Sequence, residues 1–253
     1  MLHLNKITKI FNQGTVNEKT ALNEFSLHLT PGDFLTVVGG NGSGKSTMLN
    51  IIAGLLTIDS GNIIIDGDDV SKQPEYKRAA LLGRVFQDPM MGTAPHMTIE
   101  ENLALALRRG KNRSLRLGNS KNERKVYRDL LSQLDLGLED RIKSQVGLLS
   151  GGQRQALTLL MATLQSPKLL LLDEHTAALD PKTAKTVLEL SEELVTSKHI
   201  TTIMITHNMK DAIKYGNRVI MMEAGQIVFE AEGGAKQHLT ARDMLEKFSI
   251  LPT

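Results

Sequence analysis

The chain has 253 residues, a formal net charge of +2, 23% charged and 41% hydrophobic residues, a balance that suits one large soluble domain. It contains no cysteine, which excludes disulfides, thiolate metal sites and cysteine nucleophiles and fits a reducing cytosol. No run approaches the ~18 apolar residues of a membrane span, the opening MLHLNKITKIFN lacks a signal peptide's apolar stretch, and 4% aromatic residues without Trp argue against a stacking platform for nucleic acid.

Residues 2–10 alternate, with Leu2, Leu4 and Ile7 apolar, and 21–29 alternate as ALNEFSLHL; both read as half-buried antiparallel strands. PGD at 31–33 is a turn, and FLTVV at 34–38 is a buried strand running into a glycine loop. The helix behind that loop carries Met48, Leu49, Ile52 and Ala53 and ends at Gly54. Residues 61–67 (GNIIIDG) and 81–88 (LLGRVFQD) read as further strands. From about 98 to 165 the apolar spacing turns helical, beginning where Thr98 and Glu101 form a capping box. KLLLLDE at 168–174 is a continuous apolar run of buried-strand type. A helix follows Pro181, then the strand ITTIMITH at 200–207, then a hairpin of RVIMME and QIVFE split by Ala224-Gly225, soon after which the chain ends.

Alternating strands and helices from 34 to 207 imply an α/β core, and the helical stretch implies an inserted subdomain. Residues 108–125 carry eight Lys or Arg and one Glu. They read as a solvated loop, with contact to anionic lipid headgroups as the sharper alternative. Nucleic acid is not expected, because the basic bias is local.

GGNGSGKS, Gly39 to Ser46, lies between strand and helix as the G-x-x-x-x-G-K-[ST] pattern requires. Gly39, Gly40, Gly42 and Gly44, with Asn41 and Ser43 between them, let backbone N–H groups face phosphates. Lys45 adds a positive charge at the β- and γ-phosphates, Ser46 offers an oxygen to Mg²⁺, and Thr47 beside it is expected among the nucleotide-binding residues. LLLLDE ends in Asp173 and Glu174 at the carboxyl end of a strand, where α/β sheets bind ligands. Asp173 suits Mg²⁺ as a hard oxygen donor, and Glu174 suits the orientation and deprotonation of an attacking water. Ser150, Gly151 and Gly152 open another helix, with Leu157, Leu160, Met161 and Leu164 on its apolar face, and their N–H groups form a second anion site.

In this order the motifs resemble the nucleotide-binding subunits of ABC transporters, from Phe11 to about Glu230. LSGGQ at 149–153 matches the signature motif, LLLLDE matches Walker B, Gln87 in VFQDP the Q-loop, AALD at 177–180 the D-loop, and His207 the switch histidine. The resemblance implies a P-loop NTPase core with an antiparallel β subdomain and an inserted α-helical subdomain. It implies one ATPase domain over 1–253, with 1–97 and 166–253 as core and about 98–165 as helical subdomain. It further implies that Phe11 stacks on adenine, that Gln87 reaches Mg²⁺ and the attacking water while its loop bends with a membrane partner's coupling helix, and that His207 holds the γ-phosphate and positions Glu174. Two copies would pack head to tail, Ser150, Gly151, Gly152 and Gln153 of each facing the other's ATP. Two positions depart from the family. His175 follows Glu174 where proline is usual, read as a tolerated substitution or as a group titrating near neutrality beside the hydrolysis site. Gly40 replaces a bulkier residue.

The implied function is ATP hydrolysis at the cytoplasmic face of the membrane, driving separate permease subunits of a bacterial importer. An extracytoplasmic solute-binding protein would serve the same system. DEHTAALDP looks like ATPases of amino-acid uptake systems. The alternative is a soluble ATPase of an assembly complex. Repair ATPases of this type carry long coiled-coil insertions, whereas here the P-loop and signature lie only about a hundred residues apart. The joint presence of Glu174, Gln87, His207 and Ser150 argues against a module that does not hydrolyse.

Overall fold

Four leucines in a row bury both faces of a strand, and that requirement organises the molecule. In the computed structural model, which describes residues 1–109 and 120–249, the chain runs β1 (Leu2–Phe11), β2 (Lys19–Leu29), β3 (Phe34–Gly39), α1 (Lys45–Ala53), β4 (Ser60–Ile65), β5 (Asp68–Asp69), α2 (Glu75–Arg78) and β6 (Leu82–Val85). It continues through α3 (Ile99–Leu107), α4 (Lys121–Ser132), α5 (Gly151–Thr163), β7 (Leu169–Asp173), α6 (Pro181–Ser197), β8 (Thr201–Ile205) and α7 (Met209–Lys214). It closes with β9 (Arg218–Glu223), β10 (Gln226–Glu232), α8 (Gly233–Gln237) and α9 (Ala241–Ser249).

The strands form a six-stranded sheet, β10-β9-β3-β8-β7-β6, and a four-stranded sheet, β2-β1-β4-β5. In the larger sheet β9, β3, β8, β7 and β6 run parallel, while β10 is antiparallel at the edge. The carboxyl ends of β3, β7 and β8 therefore share one side, where Gly39, Asp173 and the residues after Ile205 emerge.

Leu169 and Leu171 of β7 pack toward α1 and the smaller sheet, together with Leu4, Phe25, Met48 and Ile203. Leu170 and Leu172 face the opposite way, into a second core with Ile99, Tyr127, Leu157, Leu160 and Leu194. Each of the four is fully buried, and each stabilises the fold by about 1.5–3 kcal/mol. The helical stretch thus shares a core with one face of the sheet, through α5 and α6.

Helix starts follow local chemistry. Thr98 and Glu101 form the expected capping box, and Ser120 with Glu123 and Ser150 with Gln153 form two more. Asp180 caps α6 by accepting from Thr183 N at 3.1 Å, one residue before Pro181. Residues 110–119 of the basic run lie outside the described residues; Lys121, Arg124 and Lys125 lie on α4. The chain does not stop at the hairpin. Met244 of α9 is fully buried beside Val38, Ala212, Val219 and Met221. The glycine pair that opens α8 carries no helix signal, which is why sequence reading ended at β10.

Candidate nucleotide site

The loop between β3 and α1 is shaped by steric exclusion. A Cβ at Gly39 would lie 2.3 Å from Met222 O, and one at Gly44 would lie 2.5 Å from Ala21 O. Gly44 also adopts φ +102°, where a side chain is strained. The loop is tied to the β9–β10 turn by Gly225 N donating to Ser43 O at 3.1 Å. Lys45 is buried; its Nζ donates to Gly39 O and Gly40 O, each at 2.8 Å, and to Ser43 Oγ at 3.4 Å. Burial pulls the Lys45 pKa down, while Glu174 and Asp173 push it up. The Gly39, Gly40 and Ser43 oxygens take all three N–H donors of Lys45, so a bound anion would have to replace one of the carbonyls.

A cleft of about 250 Å³ opens over this loop, lined by Asn41 to Thr47, Phe11, Glu174 and His207. Phe11 ends β1, with the Lys9 ammonium 5.7 Å from its ring centroid. Lys19 and Ala21 of β2 line the same cleft, and a Cβ at Gly42 would meet Lys19 Nζ at 3.2 Å. Sequence reading missed Lys19, because a lysine at a strand start carries no motif.

Glu174 leaves β7 with φ +47°, its N–H donating to Ile205 O at 3.1 Å. His207, two residues beyond β8, brings Nε2 to 2.5 Å from Glu174 Oε1. Asp173 Oδ2 lies 3.4 Å from Arg84 Nη2. Among the described residues no group of three or more His, Asp or Glu forms a metal cage by itself. That fits Mg²⁺, which is commonly held by one or two carboxylates together with substrate phosphates. Ser46 in the cleft and Asp173 at the end of β7 could offer it hard oxygens, whereas Gln87 does not line the cleft.

Other predicted residues stand apart from the cleft. Gln87 is exposed after β6, and Gln155 of α5 anchors the residue before it by donating from Nε2 to Phe86 O at 3.1 Å. Ser150 Oγ accepts from Gln153 N at 3.3 Å, and Gln153 Oε1 accepts from Ser150 N at 3.2 Å. Gly151 is exposed, with Leu179 Cδ2 3.2 Å from a Cβ placed there. Gly152 is buried against α6, and its Cβ would meet Thr183 Cγ2 at 2.1 Å. None of these four signature residues lines the cleft formed by their own P-loop.

His175 overturns one expectation. It is buried, and burial pushes its pKa down to about 4, so it does not titrate near neutrality in the fold. Ser191 Oγ donates to Val187 O at 2.7 Å, so the same oxygen accepts from His175 Nε2–H at 3.0 Å. The imidazole points into the protein, away from the cleft, and acts as a hydrogen-bonded core group between β7 and α6.

Comparison with known proteins agrees with this geometry. Residues 22–177 match the family model described as "ABC transporter". The chain is 45% identical over 250 residues to a tyrosine transport ATP-binding protein of Clostridioides difficile strain R20291, covering 98% of each chain. It is 37% identical to the spermidine/putrescine import ATP-binding protein PotA of Pasteurella multocida strain Pm70, spanning 57% of that protein's length. Among solved structures it is similar to a dimeric ATP-binding cassette in a post-hydrolysis state bound to ADP and Pi, with TM-score 0.77, 29% identity and coverage of 92% of this chain and 98% of that one. A second cassette, in its ADP conformation, gives TM-score 0.80 at 27% identity over 98% of both chains. The glycine loop, the strand-end carboxylates and the signature helix are thus those of an ATPase serving a transport system, and the chain belongs to the ABC transporter ATP-binding family.

Proposed function

We propose that two copies of this chain close head to tail on two ATP molecules and that the cycle powers uptake of a small solute, an amino acid by analogy with the tyrosine transport relative. The observation that carries the reading is the 2.5 Å contact between His207 Nε2 and Glu174 Oε1 at the edge of a cleft lined by the glycine loop. The whole chain then works as one ATPase domain, with residues 98–165 as its helical subdomain.

ATP binds with its phosphates against the N–H groups of the glycine loop, from Gly39 to Thr47, and with its base against Phe11. Lys45 exchanges its carbonyl partners for phosphate oxygens. Ser46, Asp173 and Gln87 would hold Mg²⁺, which would supply positive charge to offset that of the phosphates. Glu174 orients a water in line with the γ-phosphorus and takes its proton as the new P–O bond forms and the bond to ADP breaks. His207 fixes the Glu174 carboxylate and contacts the γ-phosphate. Ser150, Gly151, Gly152 and Gln153 contact the γ-phosphate of the ATP bound by the other copy. Closure therefore depends on that phosphate and is released by hydrolysis.

The permease docks beside the Gln87 segment, in a groove of about 1100 Å³ whose wall includes the exposed Met91 and Leu105. Docking there places the ATPase at the cytoplasmic face, with a solute-binding protein on the far side of the membrane. Among the described residues no helix is long and apolar enough to cross a membrane. The test is Glu174→Gln, which keeps the side-chain shape and removes the base. Steady-state hydrolysis should fall by at least about a hundredfold, and gel filtration with ATP should show a stabilised dimer. Normal turnover in that variant would refute the assignment.

A further inference from the structure

Arg84 lies on β6 opposite Leu171, two residues before Asp173 on the neighbouring strand. Its Nη2 donates to Asn50 Oδ1 of α1 at 2.8 Å and lies 3.4 Å from Asp173 Oδ2. The guanidinium carbon sits 4.6 Å from the centroid of the Phe86 ring, a cation–π contact. The side chains of Arg84 and Asp173 are only 14% and 18% exposed, so solvent screens the pair weakly. Arg84 Nε and Nη1 are buried with no hydrogen-bond partner. Leaving two donors of a permanent cation unpartnered costs free energy that an apolar side chain of the same length would avoid. What the cation gains in return is its field at Asp173.

We propose that Arg84 is a positioning residue that holds Oδ2 of Asp173 and sets how strongly nucleotide binding depends on Mg²⁺. The inference rests on the assignment of Asp173 to the metal. With Arg84 in place, the carboxylate repels the incoming phosphates less and attracts the metal less. Nucleotide therefore binds better without Mg²⁺, and the metal is held less tightly once present. The Asn50 bond and the Phe86 contact hold the guanidinium beside Asp173.

The test uses the full chain, dilute enough to remain monomeric, and a non-hydrolysable ATP analogue. Its dissociation constant is measured by calorimetry in excess Mg²⁺ and in EDTA, and the ratio of the two is compared among variants. Arg84→Gln and Arg84→Met should widen the ratio roughly tenfold, through weaker binding in EDTA and tighter binding in Mg²⁺, as expected for removal of one charge several ångströms away. Arg84→Lys, which keeps the charge, should return it toward the wild-type value. The methionine variant removes the unpartnered donors and is expected to fold even if the glutamine variant does not. An unchanged ratio in the neutral variants, or a lysine variant that behaves like them, overturns the role of Arg84. If the wild type itself binds equally with and without Mg²⁺, the metal assignment of Asp173 falls, and this inference with it.

Discussion

Glu174 occupies the left-handed region at φ +47°, which costs a non-glycine residue of order 1–3 kcal/mol. The strand end holds it there through the bond of its N–H to Ile205 O and the contact of its carboxylate with His207. Its neighbour His175 has the opposite fate, buried and neutral. The folded pKa of His175 is about 4 against an ordinary 6.5, which sets the sign of its effect on stability. Above pH 6.5 the imidazole is neutral in both states and carries no penalty. As pH falls toward 4, the unfolded chain takes up a proton that the folded chain excludes, and roughly 3 kcal/mol of stability is lost. Denaturant unfolding of His175→Leu should lack that acid limb while losing only about 1 kcal/mol at pH 8. An unchanged acid limb would mean that another group carries it.

At the scale of elements, α5 and α6 approach through Gly152, where a Cβ would come within 2.1 Å of Thr183 Cγ2. Gly152→Ala should therefore cost about 1–3 kcal/mol by overpacking, measurable as a lower unfolding midpoint. Thr183→Ser removes the offending methyl and should recover most of that loss in the double variant. Independent, additive effects would exclude the steric account. The strands β3, β7 and β8, the capped start of α3 and the start of α6 at Pro181 were legible in the sequence, because apolar runs, caps and a helix-opening proline are local signals. The helix α8 opens on two glycines and carries no such signal, whereas α9 has one that sequence reading missed: Thr240 and Asp243 bond reciprocally at its start, and Met244 then buries its inner face beside Ala212 and Met221.

Across the whole molecule, the glycine loop and the start of α5 lie on different elements, and residues 150–153 do not line the cleft. Lys45 lines the cleft; Gly151 is exposed and does not. Lys45→Ala should abolish ATP binding by the monomer, whereas Gly151→Leu should leave that binding intact and block dimer closure and turnover. Equilibrium binding on dilute protein separates the two variants, and loss of monomer binding in the second would sink the head-to-tail reading. The exposure of Gly151, beside the tight packing of Gly152, makes the first glycine the sounder choice for this experiment.

The glycine loop and the buried strand that delivers Asp173 and Glu174 are legible in the residues alone, because each is a short stretch whose backbone needs are met locally. The family resemblance also implied that His207 positions Glu174, although the two residues follow different strands. Packing between distant residues is what brings Lys19 of β2 to the cleft and Arg84 of β6 to Asp173, and what turns His175 away from the cleft. Sheet order and burial fix those placements, and both depend on contacts between residues far apart in the chain.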